Sequence, residues 1–262
     1  MTRRIGLAAL TCLELAPPQL VDAAAAAGYD FVGLRLIPAA AGQALPAFEP
    51  RELERRLAHT GMKVLDVEVF RLEASTRIAD FEPVLALSQR LGASEILVHG
   101  ADPDEARLAD TFARLCELAA RYGLAANLEP MPWVDVSTVA RAKRILANNR
   151  NAALLVDPIH FFRADNRLEE LQGAPLRYLQ FCDAHAGRPQ EVSELIRQAR
   201  GDRLFPGEGA LDLRGLLAAL PPELPMGLEI PLARKLEPFH RAQLALQATR
   251  RFLTTAPAGR TA

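Results

Sequence analysis

Eight short apolar runs, each separated from the next by a longer segment of helical period, set the strongest limit on how this chain can fold. They are IGLAAL from Ile5, FVGLRL from Phe31, KVLDVEVF from Lys63, EILVHG from Glu95, LAANLEP from Leu124, AALLVDPI from Ala152, LRYLQFCD from Leu176 and MGLEIP from Met226. β-Branched runs alternating with amphipathic helices describe βα units, whose strands lie parallel under a cover of helices. The helices carry their own punctuation. PPQLVDAAAAAG has proline near its start, PRELERRLAHTG ends in glycine, and DPDEARLADTFARLCELAARYG is acidic in its first turn. EPFHRAQLALQATRRFL supplies the eighth helix.

Two architectures accept such a repeat. A doubly wound open sheet often places a glycine-rich phosphate turn after its first strand, whereas here the first run leads into TCLELAPP. The α/β fold expected is therefore a (β/α)8 TIM barrel, one domain over residues 1–255, with 256–262 a polar tail. No linker or low-complexity stretch divides it.

Composition narrows the partners. The chain has 262 residues, 50% of them hydrophobic and 24% charged, with a formal net charge of −1. That suits a soluble domain with a large core, and the absence of a basic run argues against nucleic acid. No apolar run approaches the roughly 20 residues needed to span a bilayer. The start is too polar after Leu10 for a secretory signal, so a cytoplasmic location without membrane attachment is expected. Cys12, Cys116 and Cys182 have no CxxC spacing and read as small buried hydrophobes.

In a barrel the C-terminal strand ends converge on one face. Glu129, Asp157, Gln180 and Glu229 sit at such ends, on the last four runs. Three carboxylates gathered out of water repel one another strongly, and a divalent cation removes the conflict. Three carboxylates and an amide oxygen are hard donors, which favours manganese, with magnesium or cobalt as alternatives. Ordinary strand-end hydrogen bonds or pairing with arginine could explain one or two of the four. Other candidates for the same face are Arg35, Glu68, His99 and Trp133. Alternation puts Asp66 and Glu68 on one side of their strand, where Glu68 either faces the barrel mouth or pairs with Arg35. Trp133 either stacks on a sugar ring or caps the core. The stretch from Ala184 to Asp202 is long for a βα loop, carries a short helix and is placed to shape the mouth. Asp183, just before it, reads as a partner to the site or a helix cap.

With these residues in place, the chain resembles the xylose isomerase-like TIM-barrel superfamily of sugar isomerases and epimerases. Its tagatose 3-epimerase-type members hold a metal with Glu, Asp, His and Glu at the last four strand ends, matching Glu129, Asp157, Gln180 and Glu229. Gln180 departs from the histidine, and dehydroshikimate dehydratases of the same superfamily can use glutamine there. Asp157-Pro158-Ile159-His160 keeps the spacing from metal-binding aspartate to substrate-binding histidine. Arg203-Leu204-Phe205-Pro206-Gly207-Glu208-Gly209 is similar to the Arg-x-x-Pro-Gly-x-Gly loop. The resemblance implies a metal-dependent isomerase or epimerase of a small keto-sugar or related carbonyl compound, working through an enediolate. Glu129 and Glu229 would move protons, while His160 and Arg203 would bind substrate. A dehydratase of the 3-dehydroshikimate type and a catalytically idle carbohydrate-binding barrel are the alternatives. The resemblance also implies a homodimer.

Overall fold

The structure, a computed structural model, describes residues 3–39, 42–147 and 149–255. The expected tail at 256–262 lies outside the described residues. All eight apolar runs are strands: β1 Ile5–Leu7, β2 Phe31–Arg35, β3 Lys63–Glu73, β4 Glu95–Ala101, β5 Ala125–Leu128, β6 Ala152–Val156, β7 Leu176–Phe181 and β8 Met226–Leu228. Each pairs in parallel with the next, and β8 pairs with β1, closing the barrel. The expected fold is the observed one.

Helices run between the strands on the outside: α1 Pro17–Ala27, α2 Pro50–Thr60, α3 Glu82–Arg90, α4 Glu105–Arg121, α5 Val139–Leu146, α6 Pro158–Arg163, α7 Val192–Gly201, α8 Leu213–Ala219 and α9 Pro238–Thr254. Proline opens α1, α2 and α9, where its missing N–H costs nothing. Helix α7 is the one expected in the long stretch after β7. No described helix is long and apolar enough to cross a membrane. The three cysteines are free and buried, as their spacing implied.

Most of the apolar core lies between the strands and the helices. Val64, Val67 and Phe70 of β3 and Ile96 and Val98 of β4 face outward into it. A smaller apolar cluster of Phe31, Leu65, Val69, Leu97, Leu155 and Tyr178 packs separately, inside the barrel. Gly6 makes room for it, because a Cβ there would stand 1.9 Å from the Phe31 ring.

Strand alternation is broken in three places. The register slips between Val32 and Leu34 against β3, between Val67 and Phe70 against β4, and between Leu154 and Val156 against β7. Each slip sets two residues against one, so Leu65 with Asp66, Glu68 with Val69, and Arg177 with Tyr178 both turn toward the interior. Asp66 and Glu68 share a face as alternation predicts, with Val67 between them turned outward, and the two bulges add Leu65 and Val69 to that face.

Candidate active site

The cluster is built from the ends of β5 to β8. Glu129 and Glu229 follow β5 and β8 directly, Gln180 lies near the end of β7, and Asp157 begins α6. All four are buried. Asp157 caps that helix, its Oδ1 accepting from the Ile159 N–H at 2.9 Å. One helical turn on, His160 is thereby brought back beside it, with Nε2 3.8 Å from Asp157 Oδ2. The Asp-Pro-Ile-His spacing is thus a capping geometry that couples two side chains.

Arg203, 1% exposed, lies between two of the carboxylates. Its Nη1 donates to Asp157 Oδ2 at 2.6 Å, and its Nη2 is 2.6 Å from Glu229 Oε2. It also donates through Nη1 to the Glu229 carbonyl and through Nε to the Ala199 carbonyl. Burial alone would lower the pKa of this guanidinium, but Asp157 and Glu229 raise it well above its ordinary value. Asp157 shows the counterpart. Burial pushes its carboxyl up, yet Arg203, His160 and the Ile159 N–H together hold it below the usual range.

The Arg203 loop is fixed by Asp183. Its Oδ2 accepts from Gly207 and Gly209, both at 3.0 Å, and its Oδ1 from Ala184 at 2.9 Å and Leu211 at 3.2 Å. A Cβ at Gly209 would stand 2.4 Å from Asp183 Oδ1. Asp183 is therefore a loop clamp rather than a helix cap.

Glu129 is held differently. Its Oε2 lies 2.7 Å from His99 Nε2, so the imidazole carries its proton on that nitrogen when it donates to the carboxylate. Burial, then the nearby Glu229 and Asp157, push the Glu129 carboxyl well above the usual range. Burial raises Glu229 to about 8 against the pull of Arg203. Burial also drives His160 down to about 4, and its ring meets Trp133 edge-on at 4.9 Å. Both histidines are neutral near pH 7, since burial drives His99 well down as well.

Several buried polar atoms here have no hydrogen-bond partner: Glu129 Oε1, His160 Nδ1 and both amide atoms of Gln180. Such groups cost about 1–3 kcal/mol each when left unsatisfied and mark places where a ligand is expected. Glu129, Asp157 and His160 also present three ligand atoms within 4.8 Å of one another. The donors fit a divalent cation. Glu229 lies outside this closest group, tied to Arg203.

A cavity of about 250 Å³ opens above the cluster, its wall including Arg35, His99, Glu129, Trp133, His160, Arg203 and Glu229. Asp157, Gln180 and Glu68 lie behind the wall. Glu68 is fully buried, with Arg35 Nη2 2.8 Å from its Oε1, so of its two sequence readings the ion pair with Arg35 is the one observed. Three wall residues carried no readable signal: Gln43, Arg71 and Arg200. On the sequence each is a polar residue in a helical or loop segment, indistinguishable from a solvated one. His99 was legible only as the polar end of β4.

The fold agrees with comparisons against known proteins. The sequence pattern of the xylose isomerase-like TIM barrel matches residues 21–254, so the chain belongs to that family. It is 30% identical over 221 residues to a 3-dehydroshikimate dehydratase of Pseudomonas aeruginosa, a match covering 77% of this chain and 33% of the relative. The chain thus spans about a third of that relative's length. Among solved structures, the IOLI protein with a zinc atom is 20% identical with a TM-score of 0.79, covering 96% of this chain and 98% of the other. A D-allulose 3-epimerase from Methylomonas sp. in complex with D-allulose is 19% identical with a TM-score of 0.70, covering 95% and 97%.

Proposed function

We propose that the protein is a metal-dependent enzyme that moves a proton at the carbon beside the carbonyl of a small polyhydroxylated ketone, as an isomerase or epimerase does. The observation that carries this reading is the pair of carboxylates, Glu129 and Glu229, on the wall of one buried cavity, beside polar atoms left without partners. Glu129, Asp157, Gln180 and Glu229 would hold the cation, manganese by the hardness of the donors, with His160 within reach of the first two. When bound, such an ion polarises a carbonyl and offsets the negative charge that develops as a neighbouring C–H proton leaves.

The chain's own residues do the rest. Glu129, oriented by His99, accepts the proton from carbon as an ionised carboxylate, and Glu229, held by Arg203, starts as the acid and delivers its own proton to that carbon. Arg203 keeps the Glu229 carboxyl in place at every stage. His160 and Arg35 offer hydrogen bonds to substrate oxygens, and Trp133 with Met131 excludes water from the wall.

A second reading, loss of a hydroxyl after the same proton abstraction, is favoured by Gln180. An epimerase-type set has histidine there, and dehydroshikimate dehydratases can have glutamine. The sequence relative named as a 3-dehydroshikimate dehydratase supports it too. Incubation with manganese, keto-sugars and 3-dehydroshikimate in deuterated water tests both. Deuterium is expected to enter the substrate carbon, and Glu129→Gln or Glu229→Gln should slow its entry about 100- to 10,000-fold. Full exchange in both variants would overturn the proposal. An ultraviolet-absorbing conjugated product would select the second reading.

A further inference from the structure

The two sides of the cavity differ in chemistry. The side built from β1 to β4 is largely apolar, with Leu10, Leu13, Ala39, Val69 and Leu97 on its wall. Among the described residues, the half-buried Leu10 and Leu13 join neither apolar cluster of the barrel. The longer polar side chains there each answer an acid: Arg35 meets Glu68, Arg71 meets Glu73, and His99 meets Glu129. Between the leucines and these pairs stands one short polar side chain, Gln43, carried by the segment that joins β2 to α2.

The backbone decides which way the Gln43 amide points. The Ala39 N–H donates to Gln43 Oε1 at 2.6 Å, and only the oxygen of a side-chain amide can accept that bond. The NH2 group is left as a donor that meets no acceptor among the described residues, on a side chain that lines the cavity. Two and three positions further on, Leu45 and Pro46 face Leu13, Leu15 and Leu20 across a gap of about 10 Å³, room for one water at most. The segment is therefore held before the amide by a hydrogen bond and after it by apolar contact. The other donors at the rim lack this fixing. The Arg71 side chain is 33% exposed, and Arg200 is an exposed residue at the end of α7.

An apolar wall with one oriented donor selects for an oxygen. A hydroxyl pressed against the leucines would go unpaired without that donor, and a methyl group in its place would leave the amide N–H unpaired. Strand β2 stands opposite β6 in the closed ring, so Gln43 faces the mouth from across Asp157 and His160. We propose that Gln43 determines specificity, its Nε2 donating to a hydroxyl oxygen at the end of the substrate remote from the reacting carbons. The proposal rests on the reading of this cavity as the site of a polyhydroxylated ketone, and it names the residue that tells a hydroxylated end from a deoxygenated one.

Binding without turnover tests this. D-Allulose, D-fructose, D-tagatose and D-sorbose are each titrated into the full chain with manganese present, alongside their 6-deoxy counterparts, in which methyl replaces the terminal hydroxymethyl group. Trp133, the chain's one tryptophan, lines the cavity and reports occupancy by fluorescence. The best-bound ketose is expected to bind about 10-fold more tightly than its 6-deoxy counterpart. In Gln43→Met that ratio should fall to about one or below, because the ketose weakens while the 6-deoxy ligand stays within about twofold of its original affinity. A residue that only pins the segment would weaken both ligands alike, and that result would overturn the proposal. So would equal affinity within the best-bound pair, no binding of any pair by the unmodified protein, or a preference that survives in Gln43→Met and passes the hydroxyl to Arg71 or Arg200. Failure of the proton-transfer reading is seen separately, as no deuterium exchange into any ketose while the Gln43-dependent preference persists.

Discussion

The barrel interior carries buried charge at two levels, and the two levels treat it in opposite ways. In the lower level Glu95 Oε2 accepts from Asn127 Nδ2 at 2.9 Å and from Arg177 Nε at 2.7 Å, while Tyr178 Oη donates to Asp66 Oδ2 at 3.3 Å. Of that set only Asn127 Oδ1 lacks a partner. In the upper level Glu129 Oε1, His160 Nδ1 and the whole Gln180 amide are open. A polar group that satisfies its neighbours is part of the fold. One held in place but unsatisfied is prepared for something that binds, and the cost of keeping it is met by the packed barrel beneath.

Arg203 is where the upper level becomes structural, so it should give the largest effect. Removing it leaves Asp157 and Glu229 as buried carboxylates without their cation, a loss of about 3–5 kcal/mol. Arg203→Met is expected to lower the melting temperature by roughly 10 °C, at about 2–4 °C per kcal/mol for a domain of this size. Thermal denaturation followed by circular dichroism checks this. A melting temperature within 2 °C or so of the unmodified protein would show that the upper carboxylates do not depend on this pair, and the two levels would no longer differ in the way described.

Divalent cation should act on one level only. Manganese at about 100 times its dissociation constant stabilises a protein that binds it by roughly 2.7 kcal/mol. The rise in melting temperature is expected to disappear in Glu129→Gln and to survive in Glu95→Gln, whose carboxylate is already committed to Asn127 and Arg177. A rise that Glu95→Gln abolishes and Glu129→Gln keeps would move the cation to the lower level.

Much of the upper level was legible in the sequence because it interrupts a simple pattern. Strands of a closed parallel barrel are buried on both faces and read as apolar runs, so Glu129, Asp157 and Glu229 stand out as the first charges after LAANL, AALLV and MGL. Gln180 stands out for the same reason. The lower level was not legible as a network. Asp66, Glu95, Asn127 and Arg177 are isolated polar residues within runs, and their meeting depends on register slips in β3 and β7 that no two-residue period encodes. The rim arginines were hidden for another reason. Arg71 continues β3 past the segment read as a strand, and Arg200 closes a helix whose other arginine, Arg197, is a solvated partner of Glu194. Nothing local separates the two arginines of α7; only the closure of the barrel turns one toward the cavity.

The smallest effect is expected from Asp66, where the lower level is least comfortable. Burial first, then Glu68 and further acids, raise its carboxyl well above the usual range, against a hydrogen bond from Tyr178 that lowers it. An unfolded aspartate ionises near pH 4. Because the folded group ionises at higher pH, its contribution to stability is complete below about pH 4 and is lost as pH rises through the folded value. Asp66→Asn keeps an acceptor for Tyr178 Oη and cannot ionise, so it removes that loss. The melting temperature of the variant relative to the unmodified protein should therefore climb from pH 5 to pH 8, by about 2–4 °C for each kcal/mol relieved. A difference that is flat across this range would mean that the lower level accommodates an ionised Asp66 as readily as the upper level accommodates Asp157. The contrast would then rest on hydrogen bonding alone.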